Sequence, residues 1–599
     1  MARITCMFKV LLGLAALCTA GLAIAADADL PAGGKDVFPG DPIAVYKVTG
    51  DPALIPTKIV DVQGPGFTKA LEAAPQKGLE TTYAAQYAAI AQQPIQKGDV
   101  MHVRLYSRCI KSMTGTAQVG VVFELNHDPW SKSLDGQSTV GTEWTVLDFP
   151  FIAKRDYAAG ESIITIRLGY PGQIFQIAGI RVLNYGQGFD KSKLPVTHIS
   201  YAGREADAPW RKAAEQRIDQ IRKADLQVTV KDAVGKPVPN AKVHVQMLRH
   251  EFLWGTCISG RPMLGESADD IRYRETLKKY FNHAVIENDL KWQNIDRRGY
   301  ASPDKEIAWL RDNNISVRGH NLIWPAKEYL PKNVADMLDK PADLRAACDA
   351  HITETAARYT GKLVDWDVIN EAYANHAVQD VLGNAEMVRW FKLAKAADPV
   401  ARLYINDYAI LASDDRIDTP HQNSYYETIK YLLDNGAPLE GIGMQGHFGT
   451  NITSPDHLIQ ILDRFAAFKL PIKVTELDMK MDDEDARADY MRDLTTVLFS
   501  HPAVAGVLQW GFWERSHWIP ESAIIDKNWN LRPHGKVWVD LVHRQWKTDV
   551  ELATDANGVV RVRGFKGDYE VTATDGKITA TQSARLSTGG ATLICTLGQ

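Results

Sequence analysis

Cysteine is scarce in this chain: six in 599 residues, two of which, Cys6 and Cys18, fall within the first 25. The other four, Cys109, Cys257, Cys348 and Cys595, lie far apart and show no framework spacing. That excludes a small scaffold built on disulfides and leaves buried free thiols as the expectation. No Cys/His cluster has zinc-ligand spacing, so no metal is expected. No Gly-rich phosphate loop follows any candidate strand, which disfavours a nucleotide-binding fold; no cofactor is implied. A large charge of one sign is missing too. Lys and Arg number 68 against 73 Asp and Glu, a formal −5. Such a balance sets up no field to draw in nucleic acid or an anionic membrane. Past the N-terminus no apolar run is long enough to span a bilayer.

What is present begins with an export signal. Arg3 and Lys9 make a positive n-region, Val10 to Ile24 is apolar, and Ala23 and Ala25 form an Ala-x-Ala cleavage site. The apolar run falls short of the roughly 20 residues a spanning helix needs. Leu17 is bulky where a lipoprotein box before Cys18 wants a small residue. Residues 1–25 are therefore expected to be removed, giving a secreted chain, periplasmic or extracellular, with no membrane attachment after cleavage. The remaining length exceeds what one core usually holds, so several domains are expected. Fifteen Trp and 21 Tyr suit both packed cores and surfaces that stack on sugar rings.

Residues 27–190 read as a β-sandwich. Short alternating runs recur between turn residues: Met101-His-Val-Arg-Leu-Tyr, Val119-Gly-Val-Val-Phe-Glu-Leu, Thr145-Val-Leu-Asp-Phe, Ser162-Ile-Ile-Thr-Ile-Arg-Leu and Phe175-Gln-Ile-Ala-Gly-Ile-Arg-Val. The last resembles the closing strand of jelly-roll carbohydrate-binding modules; sugar binding and a spacer role both fit. Residues 195–225 are a linker with a helix from Pro209 and Trp210 to Lys223. Residues 226–250 read as a hairpin-like pair of strands around Gly235 and Pro237, and 549–599 have the same character. Each piece is too small to bury its own face, so the two are expected to form one small flanking β module. Residues 251–547 differ: short apolar runs alternate with long amphipathic segments. Strands are expected at Leu253, His283, Ser316, Val364, Arg402, Gly441, Ile472 and Gly506, the count of an α/β fold of the (β/α)8 (TIM) barrel type.

In such a barrel functional residues sit where strands end. Those ends read Glu287-Asn288, His320, Asn370-Glu371, Asn406-Asp407, Gln445 and His447, Glu476 and Asp478, and Trp510. A barrel needs none of them for stability. Glu371 and Glu476 stand on strands four and seven, facing across the mouth. Glycoside hydrolysis needs such a pair, one acid to protonate the leaving oxygen and one carboxylate to attack the anomeric carbon. Their pKa values must differ, the acid desolvated and the nucleophile held ionised by donors. His447, backed by Asp478, is the expected donor to Glu476, and Asn370 is placed to bind the 2-hydroxyl of the reacting sugar.

Phe281-Asn with Glu287-Asn-Asp-Leu-Lys-Trp, Arg318-Gly-His-Asn-Leu-Ile-Trp, Trp366-Asp-Val-Ile-Asn-Glu-Ala, Leu403-Tyr-Ile-Asn-Asp-Tyr, Gly441-Ile-Gly-Met-Gln-Gly-His, Val474-Thr-Glu-Leu-Asp and Trp510-Gly together resemble glycoside hydrolase family 10, the endo-β-1,4-xylanases. The strings follow family order over roughly half the chain. The resemblance implies a retaining cleavage of xylan with Glu371 as acid/base and Glu476 as nucleophile. It further implies that Glu287, Asn288 and Lys291 bind sugar on the non-reducing side, and that His320, Gln445 and His447 hold the reacting sugar and nucleophile. Trp324, Trp510 and Trp518 would wall the pocket with apolar faces, and Tyr408 would contact the leaving-side sugar. Asn406 and Asp478 would stand behind these. Two positions depart from the family: Pro325 stands where it often has His, and Trp513-Glu514 where it usually has Thr-Asp. The domain order resembles the plant-type branch, in which a β-rich binding module precedes the barrel. Two other readings remain: the same mechanism on another β-glycan, prompted by those departures, and a non-catalytic polysaccharide-binding protein.

Overall fold

The computed structural model describes residues 29–76, 81–112, 117–170, 172–197, 199–449, 452–481 and 483–598. The export signal expected over residues 1–25 lies outside them. The chain divides into two units, one ending at Ala202 and one starting at Gly203.

The first unit consists of two antiparallel sheets. One runs Thr57–Gly64, Phe67–Ala73, Gln173–Asn184, Val100–Ser112, Thr145–Ile152 in spatial order, with Lys35–Asp36 added on Gln173–Asn184. The other runs Lys47–Thr49, Gln86–Ile90, Ser162–Arg167, Ala117–Leu125, Lys132–Val140. Alternate side chains point into one core because the pleat repeats every two residues. Met101, Val103 and Leu105 from the first sheet meet Val119, Val121, Phe123, Ile164 and Ile166 from the second. A groove on this unit is lined by Phe67, Tyr87, Tyr106, Asp41, Lys69 and Arg181.

The second unit starts with the helix Pro209–Arg222, which buries Trp210, Ala214 and Ile218. Arg211 pairs with Asp493 at 2.6 Å, and Arg222 donates to the carbonyls of Phe499, His501 and Val504. Two small sheets follow. Lys223–Lys231 lies between Val559–Phe565, antiparallel, and Ala591–Thr596, parallel. Lys242–His250 lies between Asp549–Ala553 and Gly567–Thr574, with Thr579–Leu586 outermost. The expected hairpin is thus corrected: Lys223–Lys231 and Lys242–His250 belong to different sheets, and the turn around Gly235 adds a bridge between Lys231 and Pro237, with Val238 donating to Val230 at 3.0 Å. Pro237 and Pro239 have no N–H to give a ladder, and the C-terminal strands offer longer partners.

Between them lies the barrel. We number its strands β1 (Leu253–Ile258), β2 (His283–Ile286), β3 (Ser316–Gly319), β4 (Asp365–Asn370), β5 (Arg402–Asp407), β6 (Gly441–Met444), β7 (Ile472–Met479) and β8 (Val504–Gln509). All pair in parallel; β8 returns to β1, and β6–β7 completes the ring. The eight strands fall where the sequence placed them. Strands covered on both faces need near-continuous apolar runs, and β2, β4, β6 and β7 are buried at every position. The outer helices carry their own start signals, such as the capping boxes Ser267/Asp270 and Thr419/Gln422.

Inside the barrel a buried ionic cluster takes the place of some apolar filling. Arg318 on β3 donates to Asp365 at 2.7 Å and to Asp367, both on β4; Lys473 on β7 pairs with Asp365 and lies 3.3 Å from His283 Nε2 on β2. Burial, reinforced by the charge of Lys473, holds His283 well below the usual imidazole range. The four cysteines Cys109, Cys257, Cys348 and Cys595 are buried free thiols.

Candidate active site

Glu371 follows the last residue of β4 with a left-handed φ of 58°, a costly conformation for a residue with a Cβ. Its N–H is anchored on the carbonyl of Asn406 at 2.8 Å. Its carboxylate receives Gln445 Nε2 at 2.8 Å and Asn370 Nδ2 at 3.3 Å on one oxygen, and Asn375 Nδ2 at 3.0 Å on the other. Burial pushes the Glu371 carboxyl above its ordinary value; the Gln445 hydrogen bond opposes this, while the charges of Glu476 and Asp407 add to it.

Glu476 sits within β7, almost wholly buried. Asn406 Nδ2 donates to one oxygen at 2.8 Å and His447 Nε2 to the other at 3.1 Å. His447 is held in turn by Asp478 at 2.9 Å, and Asp478 also accepts from Trp518 Nε1 at 2.7 Å. Burial alone would raise Glu476, yet the His447 and Asn406 hydrogen bonds and the nearby imidazoles outweigh it and hold the carboxyl low. For His447, burial disfavours the cation, but its two carboxylate partners carry it up to about 10. The imidazole is therefore charged at neutral pH and both ring N–H groups donate. One side chain links the two carboxylates: Asn406 donates at 2.9 Å to the side-chain oxygen Oδ1 of Asn370, the residue beside Glu371, while also donating to Glu476. The Asn406 oxygen accepts from Thr475 at 2.7 Å, which settles the orientation of the amide.

Of the other expected residues, Asn370, Asn406, Gln445 and His447 bond this pair directly. His320 Nδ1 lies 2.9 Å from Asp367, and its ring meets Trp510 edge-on at 5.4 Å. His447 stands edge-on to both Trp510 and Trp518. Trp518 is 56% exposed, whereas Trp510 is buried. In the loop after β2, Lys291 donates to Asn288 at 3.1 Å and stands 5.2 Å from the Trp324 ring. Burial raises the Glu287 carboxyl, with Lys291 and Asn288 opposing. Glu287, Asn288 and Lys291 share no hydrogen bond with Glu371 or Glu476 among the described residues, so they form a separate cluster. Tyr408 meets His421 edge-on at 4.6 Å and is close enough to Glu371 to feel its charge.

Several neighbours escaped sequence reading. Asn375 is in a loop rather than at a strand end. Tyr329 stacks on Trp324 at 3.6 Å, and Tyr373 on His421 at 4.0 Å. His421 lies 3.0 Å from Asp407. Asp367 carried a usable signal, a charge set between the apolar Trp366 and Val368 of a fully buried strand. The departures Trp513 and Glu514 are absorbed by loop packing: Trp513 is 5% exposed and stacks on Trp529, and Glu514 pairs with Arg532 at 2.6 Å. Among the described residues no cluster of three or more His, Cys, Asp or Glu is placed to hold a metal.

Residues 245–540 match the model of Glycosyl hydrolase family 10. The chain is 34% identical over 392 residues to Anti-sigma-I factor RsgI6 of Acetivibrio thermocellus, spanning 64% of this chain and 49% of that protein. It is 33% identical over 385 residues to Endo-1,4-beta-xylanase 1 of Arabidopsis thaliana, spanning 63% and 39%. The chain thus covers half or less of each of these two relatives. With Endo-1,4-beta-xylanase 1 of Humicola insolens it shares 30% identity over 296 residues, 45% of this chain and 67% of that protein. With its barrel matched by the family model and two thirds of the Humicola protein aligned to it, this chain belongs to glycosyl hydrolase family 10.

Proposed function

We propose that this protein is a retaining, endo-acting glycoside hydrolase that cleaves internal β-1,4-xylosidic bonds of xylan, with Glu371 as acid/base and Glu476 as nucleophile. The observation that carries the reading is the opposite tuning of two carboxyls, Glu371 half-buried and Glu476 buried, joined through Asn370 and Asn406: Glu371 is raised and Glu476 lowered. That division of roles suits a double displacement. Protonated Glu371 gives its proton to the glycosidic oxygen as that bond breaks, and ionised Glu476 attacks the anomeric carbon to form a glycosyl-enzyme. The ionised Glu371 then takes a proton from water, whose oxygen displaces Glu476, and two inversions leave the configuration unchanged. Asn370 is assigned to the 2-hydroxyl, Glu287, Asn288 and Lys291 to the non-reducing side, and Tyr408 to the leaving side. Two of the relatives described above are named endo-1,4-beta-xylanases, which supports xylan as the polymer. The expected export signal supports action outside the cell, where such a polymer is met; among the described residues no helix is long and apolar enough to cross a membrane.

Product analysis on defined xylo-oligosaccharides, with anomeric configuration read by NMR, tests the reading. Retained β-configuration is expected. Activity on β-glucan without activity on xylan would redirect the same mechanism to another polymer, the alternative raised by Pro325 and Trp513. Glu476→Ala should reduce turnover about 10,000-fold or more and leave oligosaccharide binding measurable; unchanged turnover would remove Glu476 from the chemistry and favour a non-catalytic binding protein. For the N-terminal sandwich we propose polysaccharide binding in the groove of Phe67, Tyr87 and Tyr106; equal retardation of native protein and Phe67→Ala in xylan-containing gels would refute it.

A further inference from the structure

The helix Ala301–Asp312 packs behind the loops that follow β1 and β2. It carries a residue that its surroundings do not suit. Glu306 is 0% exposed, and neither of its carboxyl oxygens has a hydrogen-bond donor among the described residues. An ionised carboxylate in that position would be stripped of water with nothing to replace it.

One group meets it. Asp289 belongs to the same short loop as Glu287, Asn288 and Lys291. Gly260, after β1, shows how tightly the three segments converge: a Cβ there would clash with both Asp289 Oδ2 and Glu306 Oε1. Two ionised carboxylates offer only acceptors, so they can be joined only through a proton. Burial, followed by the charge of Asp289, pushes Glu306 up to about 8. The other oxygen of Asp289 faces Arg298 at 3.6 Å, which favours Asp289 as the ionised partner. Other charges on the neighbouring elements are engaged elsewhere. Asp304 of the same helix pairs with Arg358, Arg261 acts on Asp270, Lys291 lies on Asn288, and Glu287 faces Lys291 and Glu476.

We propose that Glu306 is a positioning residue for sugar binding: as a neutral acid it donates its O–H to Asp289 and holds the loop bearing Glu287, Asn288 and Lys291, and on ionising it releases that loop. The inference rests on the glycosidase reading, which gives those three residues their sugar contacts. It places a titrating control under the non-reducing side of the cleft, apart from the Glu371 and Glu476 pair.

The test uses full-length protein carrying Glu371→Gln, so that bound sugar is not consumed. Binding of a linear xylo-oligosaccharide is followed by calorimetry from about pH 6.5 to about pH 9.5, a range that spans the Glu306 transition. Affinity is expected to fall about tenfold across it, the worth of one hydrogen bond to a charged group. Adding Glu306→Gln supplies an N–H donor at every pH and should make affinity nearly independent of pH; Glu306→Leu should leave it weak throughout. Any other titrating group acts equally with and without the Gln substitution, so the difference isolates Glu306. Constant affinity in the parent, or the same alkaline loss in the Gln variant, would overturn the proposal. Infrared spectra read the proton without sugar: a protonated-carboxyl band that titrates away in alkali and is missing from Glu306→Gln is expected, and its absence from the parent overturns the proposal. The band present with no sugar bound at any pH would sink the glycosidase reading, and the positioning role with it, a result distinct from every other outcome.

Discussion

Glu371 and Glu476 are the same side chain driven in opposite directions by what surrounds each. Glu371 has amide donors but lies within the field of two carboxylates; Glu476 has a charged imidazole on one oxygen. The rate profile should therefore be a bell, its acid limb set by Glu476 and its alkaline limb by Glu371. Asp407→Asn removes one of the negative charges that raise Glu371. The alkaline limb of kcat/KM should then move to lower pH by about half a pH unit or more; a limb that stays put would show that Asp407 has no hold on the acid. His447→Leu removes the donor that keeps Glu476 low, so the acid limb should move to higher pH in the same assay. Stability follows the same group. His447 is raised from 6.5 to about 10, so its contribution is complete below about pH 6.5 and is lost as pH rises through about 10. Unfolding of wild type and His447→Leu should differ most in the acid-to-neutral range and converge in alkali. Of these residues, Glu371, Glu476, His447 and Asp478 stood out in the sequence where apolar runs give way to polar residues, although β7 continues past Glu476 and Asp478 to Met479. Asn375, Tyr373 and His421 were not, because a loop or helix residue shows no periodic sign of the direction it faces.

The elements divide in legibility by how much of each is buried. All eight barrel strands could be read because burial on both faces demands apolar runs, and β-strand period and helix period alternate cleanly between them. In the sandwich, Val119-Gly-Val-Val-Phe-Glu-Leu announced itself, but Lys132–Val140 (Lys-Ser-Leu-Asp-Gly-Gln-Ser-Thr-Val) did not. Its pattern is polar, and it is a strand because Ala117–Leu125 pairs with it. The ionic cluster on β2, β3, β4 and β7 violates the apolar rule inside the barrel, and it is tolerable only while every charge is matched. Arg318→Met removes the cation shared by Asp365 and Asp367, leaving the first to Lys473 and the second to His320 in a buried site. It should cost about 3–5 kcal/mol, measured by urea unfolding; a cost below about 1 kcal/mol would mean that water or Lys473 compensates.

Across the whole second unit, the ends of the chain segment meet around the barrel. Strands from residues 223–250 and 549–596 complete the same two small sheets, burying Leu226, Val228, Val230, Val243, Val245 and Met247 on one side and Val560, Tyr569, Val571 and Ala573 on the other. A chain ended after Lys547 would leave both leading strands without partners. Limited trypsin digestion should then cut rapidly between 223 and 250, and the thermal transition should fall by several degrees. Equal resistance in full-length and shortened protein would show that the C-terminal strands contribute little.

By itself the sequence determined the barrel, its strand order and the two carboxylates at its rim. Those follow from local rules: a period of two or of 3.6, a polar residue where an apolar run ends. Tertiary structure decided which donor each carboxylate received, that Asn406 bridges toward both, that the strands Lys223–Lys231 and Lys242–His250 pair with the C-terminal strands in separate sheets, and that Glu306 meets Asp289. Such contacts join residues tens to hundreds of positions apart. Their geometry depends on which side chains pack against which backbone after the chain has closed, and no stretch of sequence carries that alone.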